Sequence, residues 1–273
     1  MGKFILLWMF ICSLFSAIAR ADTVLITAAT GAFGEALSFH FAAEKFDLIL
    51  AGRDENKLVD LKKRILSRYQ SSSILTIIVD FSDIEAMRAS MQSIKFNQLD
   101  SVILIGPRPE LTRNNIPSFE EWNKTFNETF FAPLECLKQM IPSIRDNGSI
   151  VIISGNSSKD YLKAYPNTNV IRLAWIGEVK NLMHFLAARK IRVNAISPGP
   201  ILTKFHRDKI TKTASDNKIT FEAQLRNDAK SIPLGAYGSL DDVTNLVHFL
   251  ISKKSKHING ANILLDGGES NAY

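Results

Sequence analysis

The chain has 273 residues and a formal net charge of +6, from 33 basic and 27 acidic side chains. That length suits one α/β domain around a buried sheet, and no Pro/Gly/Ser-rich linker divides it. The basic excess is spread along the sequence. Its densest cluster, Lys253, Lys254 and Lys256, has no interleaved aromatics, so it reads as a solvated helix end and excludes a nucleic-acid surface.

The first residues differ in composition from the rest. Lys3 precedes an apolar run of sixteen residues, 4–19, closed by Ala19-Arg20-Ala21. This layout is that of a secretory signal peptide, so residues 1–21 are expected to be a leader cleaved after Ala21 and the mature protein to be exported. The alternative is membrane association through this segment, although the run is short of the roughly 20 residues that span a bilayer. Cys12 lies in the leader and only Cys136 remains, which leaves no intramolecular disulfide and no Cys/His metal cluster.

From residue 23 onward, short apolar runs alternate with amphipathic stretches. Strands are predicted at 23–27, 47–51, 75–79, 101–105, 149–154, 191–197 and 261–265. Helices are predicted at 34–44, 55–69, 84–94, 119–145, 168–189 and 241–251. Continuous apolar strands joined by helical crossovers imply one doubly wound parallel sheet of about seven strands with helices on both faces, spanning 22–273. Ligands bind such sheets beyond the carboxyl ends of the strands.

The first strand runs into Thr27-Ala28-Ala29-Thr30-Gly31-Ala32-Phe33-Gly34 and then a helix. Small residues there let backbone N–H groups approach a pyrophosphate at the positive helix end. The second strand ends at Gly52-Arg53, where NAD-specific folds place a carboxylate against the ribose 2′-hydroxyl. A guanidinium at Arg53 pairs with a 2′-phosphate instead, which favours NADP(H), unless Arg53 is simply an exposed residue before the next helix.

At this point the chain resembles the short-chain dehydrogenase/reductase superfamily, whose fold is Rossmann-like. The family's Thr-Gly-x-x-x-Gly-x-Gly turn aligns with Thr27 to Gly34; Ala28 and Ala32 replace the first two glycines and Gly34 keeps the third. The resemblance implies that Thr27, Thr30, Gly31, Phe33 and Gly34 form the cofactor turn, and that Asp80 lies beside the adenine ring. Capping of the next helix is the other reading of Asp80. The segment Ile191-Arg192-Val193-Asn194-Ala195-Ile196-Ser197-Pro198-Gly199-Pro200-Ile201-Leu202-Thr203 looks like the family's sixth strand and the turn that meets the nicotinamide, which brings in Pro198, Gly199 and Thr203. Leu265-Asp266-Gly267-Gly268 is similar to the closing strand and turn.

The family's catalytic residues are absent. At the usual spacing the Tyr falls on Thr168, the Lys on Arg172, the Ser on Gly155 beside Ser154, and the Asn on Thr129. Tyr165 precedes Arg172 by seven residues, a spacing similar to the Tyr-x6-Lys of enoyl-acyl-carrier-protein reductases in the same superfamily, and nearly two helical turns. Tyr165, Arg172 and Ser154 are therefore the catalytic candidates. The stretch 204–231 corresponds to the variable substrate lid. Two functions follow from the resemblance: an NADP(H)-dependent oxidoreductase acting on a carbonyl or activated double bond of a small molecule, or a catalytically inactive NADP(H)-binding protein with a regulatory role. Assembly into a homo-oligomer is also expected.

Overall fold

The computed structural model describes residues 20–70, 73–93, 98–109, 116–163 and 165–272, so the leader expected at 1–21 lies almost wholly outside the described residues. Seven parallel strands make one sheet in the order β3-β2-β1-β4-β5-β6-β7. They are β1 (Thr23–Ile26), β2 (Asp47–Gly52), β3 (Ile74–Ile78), β4 (Leu99–Ile105), β5 (Ile144–Ile153), β6 (Arg192–Pro198) and β7 (Asn262–Leu265). The order reverses between β1 and β4, where Leu25 lies opposite Val102.

Alternation along β1 sends side chains to two separate cores. Val24 and Ile26 pack with Leu37 of α1 (Ala32–Ala43), Leu61 of α2 (Glu55–Arg68) and Val247 of α9 (Leu240–Ile251). Leu25 packs on the other face with Met87 of α3 (Ile84–Gln92), Leu137 of α5 (Ala132–Met140) and Val179 of α6 (Pro166–Phe185). Among the described residues no helix is long and apolar enough to cross a membrane.

The helix expected over 119–145 is four pieces. α4 (Phe119–Phe126) passes through a π-helical turn (Asn127–Phe131) into α5, and a 3-10 turn (Ile141–Ser143) follows. Pro142 has no N–H to continue the ladder, so the chain leaves the helix there and β5 begins at Ile144, well before the predicted 149. α6 starts two residues earlier than expected because Pro166 occupies its first turn, where the missing N–H costs nothing. The variable stretch holds α7 (Lys204–Asp216) and α8 (Phe221–Asp228).

Arg192 opens β6 as a buried guanidinium. Its Nη1 donates to Leu250 O at 2.7 Å and to Ser255 Oγ at 2.9 Å, and Nη2 donates to Ser252 O at 3.3 Å. It thereby satisfies carbonyls at the carboxyl end of α9, which the helix itself leaves without donors.

Candidate functional site

The strand ends around the β1/β4 reversal form the candidate site. The Thr27 hydroxyl donates to Ile105 O at 2.9 Å and accepts from Ile105 N at 2.7 Å, clamping β1 to β4 where the order switches. Gly34 is required by packing: a Cβ there would lie 2.3 Å from Ala28 O and 2.6 Å from Ala29 Cα. Gly31 precedes α1 without a side-chain cap, leaving the N–H groups of the first turn free to meet an anion. Thr30 sits over the end of β2, its Oγ1 3.7 Å from where a Cβ on Gly52 would be, and Phe33 packs on the core below.

Ala28 and Ala32 part company. A methyl is tolerated in this turn where φ is negative; Ala32 is simply the first residue of α1, whereas Ala28 has φ +46°. A left-handed alanine costs about 1 kcal/mol relative to glycine. Ala28→Gly is therefore expected to raise stability by about 1 kcal/mol, less the entropy that glycine adds to the unfolded chain. Chemical denaturation checks this, and an unchanged or lowered midpoint would show that the turn is unstrained.

Arg53 is exposed at the end of β2, with no hydrogen bond or ion pair to any described residue, while the neighbouring Asp54 caps α2. Its guanidinium is free for a ligand. Asp80 does not cap α3; Asp83 does. Asp80 Oδ1 instead accepts from Ser82 N at 2.9 Å and from Ser82 Oγ at 2.7 Å, holding the turn after β3.

Beyond β5 the Ser154 hydroxyl is buried and has no hydrogen-bond partner. Gly155 follows in extended backbone, and a Cβ there would lie 3.4 Å from Arg172 Nε. Arg172, on α6, is part-buried; its Nη1 donates to Ile153 O at 3.2 Å, while Nε is shut off from solvent with no partner. Burial, with the Arg108 charge adding to it, lowers its pKa to about 10. Arg172 also lines a narrow cavity, with Leu104, Pro107, Ile152 and Trp175, that Ser154 and Gly155 do not reach. Ser158 N donates to Gly155 O at 2.9 Å, and Ser158 is fixed in turn by a closed triangle: Ser158 Oγ and Ser197 Oγ at 2.8 Å, Ser197 Oγ to Asn262 Oδ1 at 2.6 Å, and Asn262 Nδ2 to Ser158 Oγ at 2.9 Å.

Thr129, at the family's Asn position, sits in the π-helical turn. Such a turn frees a carbonyl, and here Thr129 O accepts from Trp175 Nε1 at 2.9 Å. Tyr165 stands just before Pro166 at the start of α6 and is half-buried. It makes no hydrogen bond to Arg172 or Ser154. The structure thus joins Ser154 and Arg172 around Gly155 but leaves Tyr165 at the helix end.

On the β6 side, Pro198 ends the strand and Gly199 N donates to Leu265 O at 3.0 Å. A Cβ on Gly199 would lie 2.6 Å from Asp266 Cβ, so only glycine lets β6 and β7 close here. Thr203 Oγ1 lies 3.1 Å from His206 Nδ1. Burial, then the charges of Arg108 and Lys209, hold the His206 imidazole below its usual pKa. The Arg108 guanidinium lies 3.9 Å from the centre of the Phe205 ring. His206, Arg108 and Glu269 were not legible in the sequence as site residues; the three-residue step from Thr203 to His206 was the one available signal. Glu269 accepts from Asn156 Nδ2 at 3.0 Å, and burial, with Asp266 next, pushes its carboxyl above the usual range.

Residues 28–270 match the family described as enoyl-(acyl carrier protein) reductase, and the chain belongs to this family of short-chain dehydrogenase/reductases. It is 26% identical over 252 residues to the NADPH-dependent reductase BacG of Bacillus subtilis, covering 90% of this chain and 96% of that one. It is 24% identical over 253 residues to the 3-oxoacyl-[acyl-carrier-protein] reductase FabG of Staphylococcus aureus, covering 90% and 97%. Among solved structures, L-sorbose reductase from Gluconobacter frateurii, complexed with NADPH and L-sorbose, superposes with a TM-score of 0.85 at 22% identity, covering 93% of this chain and 98% of that one.

Proposed function

We propose that the protein is an NADP(H)-dependent oxidoreductase that acts on a carbonyl or activated double bond with a rebuilt catalytic centre. The observation that carries this is unspent polar capacity: the buried Ser154 hydroxyl and the idle Arg172 Nε face the region beyond β5 with nothing bonded to them. Buried polar groups left without partners cost about 1–3 kcal/mol each, a cost explained when a ligand supplies the partner.

The residues present fit the cofactor. The uncapped start of α1 and Gly31 would take the pyrophosphate, Arg53 the 2′-phosphate, and Pro198, Gly199 and Thr203 the nicotinamide end. When bound, the cofactor supplies or accepts the hydride. The chain's own part is to orient the reducible group and to move one proton. Ser154 donates to the substrate oxygen, and Tyr165, just before α6, is the proton donor.

NADPH is expected to bind more tightly than NADH by about 1.5–3 kcal/mol, and Arg53→Ala is expected to erase the difference. Cofactor titration by fluorescence checks this, and equal affinities in the unaltered protein would remove Arg53 from the site. A second reading, an NADP(H)-binding protein without catalysis, is favoured by one observation: Tyr165 has no hydrogen bond to Arg172 or Ser154. A screen of carbonyl and enoyl compounds with the cofactor-loaded protein decides between them.

Export is also proposed. Full-length protein expressed with a tag at Tyr273 should yield a chain beginning at Asp22 by intact-mass measurement, and an uncleaved Met1 terminus would reject it. Cleavage there removes Arg20, whose Nη2 donates to Gln98 O at 2.7 Å.

A further inference from the structure

Away from the candidate site, two imidazoles meet between helices. His40 lies on α1, three residues before its end, and His248 lies on α9; both are half-buried at the rim of the core that Leu37, Phe41, Val243 and Val247 share. His40 Nε2 and His248 Nδ1 are 2.9 Å apart, so one ring donates and the other accepts. These two rings and Phe41 pack edge to face with their centres 5.1–5.6 Å apart, and Phe46 closes on His248 at 6.0 Å.

A bond between two imidazoles exists in only some of their protonation states. With both rings neutral, one N–H faces one lone pair. A single added proton leaves the bond in place and makes it charge-assisted. A second proton puts an N–H on each facing nitrogen and a positive charge on each ring, and the bond becomes a repulsion. The other charged groups that act on His40 are Glu44, one turn further along at the cap of α1, and Asp241, near the start of α9. Both carboxylates favour a charged ring, but they are exposed and screened by solvent. Burial, and then the charge of His248, outweigh them and hold His40 below its usual pKa.

We propose that His40 and His248 form a proton-operated clasp between α1 and α9, closed while at most one ring is charged and opened by the second proton. In acid the folded chain, with His40 held below its usual pKa, binds fewer protons than the unfolded chain. The stability that the clasp contributes is therefore complete above the ordinary histidine range and is lost as pH falls through the lowered value. The clasp anchors the far end of the helix whose first turn is offered to the cofactor, and it does not depend on the proposed activity.

Thermal unfolding of the full chain between pH 8 and pH 5, without cofactor, tests this beside a nuclear magnetic resonance titration of the histidine rings. His40→Gln and His248→Gln each leave an amide that accepts from a charged imidazole or donates to a neutral one, so the clasp stays closed in every state. At pH 8 both variants are expected to melt within about 2 °C of the parent, and on going to pH 5 the parent should lose about 2–4 °C more than either. Acid sensitivity from other groups, His206 among them, is common to all three proteins and cancels. In His248→Gln the His40 midpoint should move up towards its ordinary value. Equal losses in parent and variants, or a His40 midpoint unmoved by His248→Gln, would overturn the proposal. Should a variant fail to fold, the parent's titration decides. Two rings that both charge at the ordinary histidine pH, while the α1 amides stay as protected from exchange at pH 5 as at pH 7, would overturn it equally. A His40 ring that charges only as those amides lose protection would support it.

Discussion

Tyr165→Phe is expected to lower turnover by roughly 10² to 10⁴ while leaving NADPH affinity nearly unchanged, because only proton transfer is removed. The residue lies seven positions before Arg172, about 10 Å along the helix axis at 1.5 Å per residue. The Arg172 guanidinium is held at the end of β5, on Ile153 O and against Gly155. Tyr165 itself is not helical, with φ −137° and ψ 53°, and its phenol is not committed to any described partner. Turnover followed by NADPH absorbance, beside a cofactor titration of the same variant, makes the measurement. Undiminished turnover would remove Tyr165 from the chemistry. His206, held on Thr203 at the other side of the site, would then be the group to change next.

The second large effect is on stability. Arg192→Met should cost about 3 kcal/mol, because a buried guanidinium that makes several charge-assisted bonds is lost and Leu250 O and Ser252 O keep only the weaker hydroxyl donors of Ser149 and Ser255. For a domain of this size that lowers the melting temperature by roughly 6–12 °C. Arg192 lies at the start of β6, on the far end of the sheet from the cofactor turn, so NADPH affinity below the transition should be unaffected. Thermal unfolding and cofactor titration separate the two. A melting temperature within about 2 °C of the parent would mean that water replaces the guanidinium on the end of α9.

The sheet was legible because its strands are buried on both faces and read as apolar runs, and all seven appear with ends displaced by a few residues. Two boundary errors have the same source. Pro142 and Pro166 each punctuate a helix, but an apolar pattern that continues through Ile141 and Ile144 conceals the first. Gly34, Gly199 and Thr27 were legible because backbone approach and strand clamping need particular residue types at fixed places in the turn.

The chemical centre was less legible. Matching positions to the family put Gly155 in the place of a catalytic Ser and treated it as a loss. In three dimensions that glycine packs against the Arg172 guanidinium, a relation between residues seventeen apart in sequence that no local pattern carries. The pairing of Thr129 O with Trp175 Nε1 is similar. It depends on a π-helical turn, whose freed carbonyl cannot be read from residue types.

The position of β1 has a consequence for how the molecule assembles. Thr27 meets Ile105 at a sequence separation of 78, so the centre of the sheet closes late and through distant contacts. Chains of this topology fold slowly, since loop entropy is lost before the pairing repays it. During synthesis β1 can pair with β2 but keeps one edge bare until β4 has emerged. A nascent chain in that interval exposes an apolar strand edge that invites association with other chains, and yield should therefore depend on chaperone supply and growth temperature more than on the stability of the finished fold.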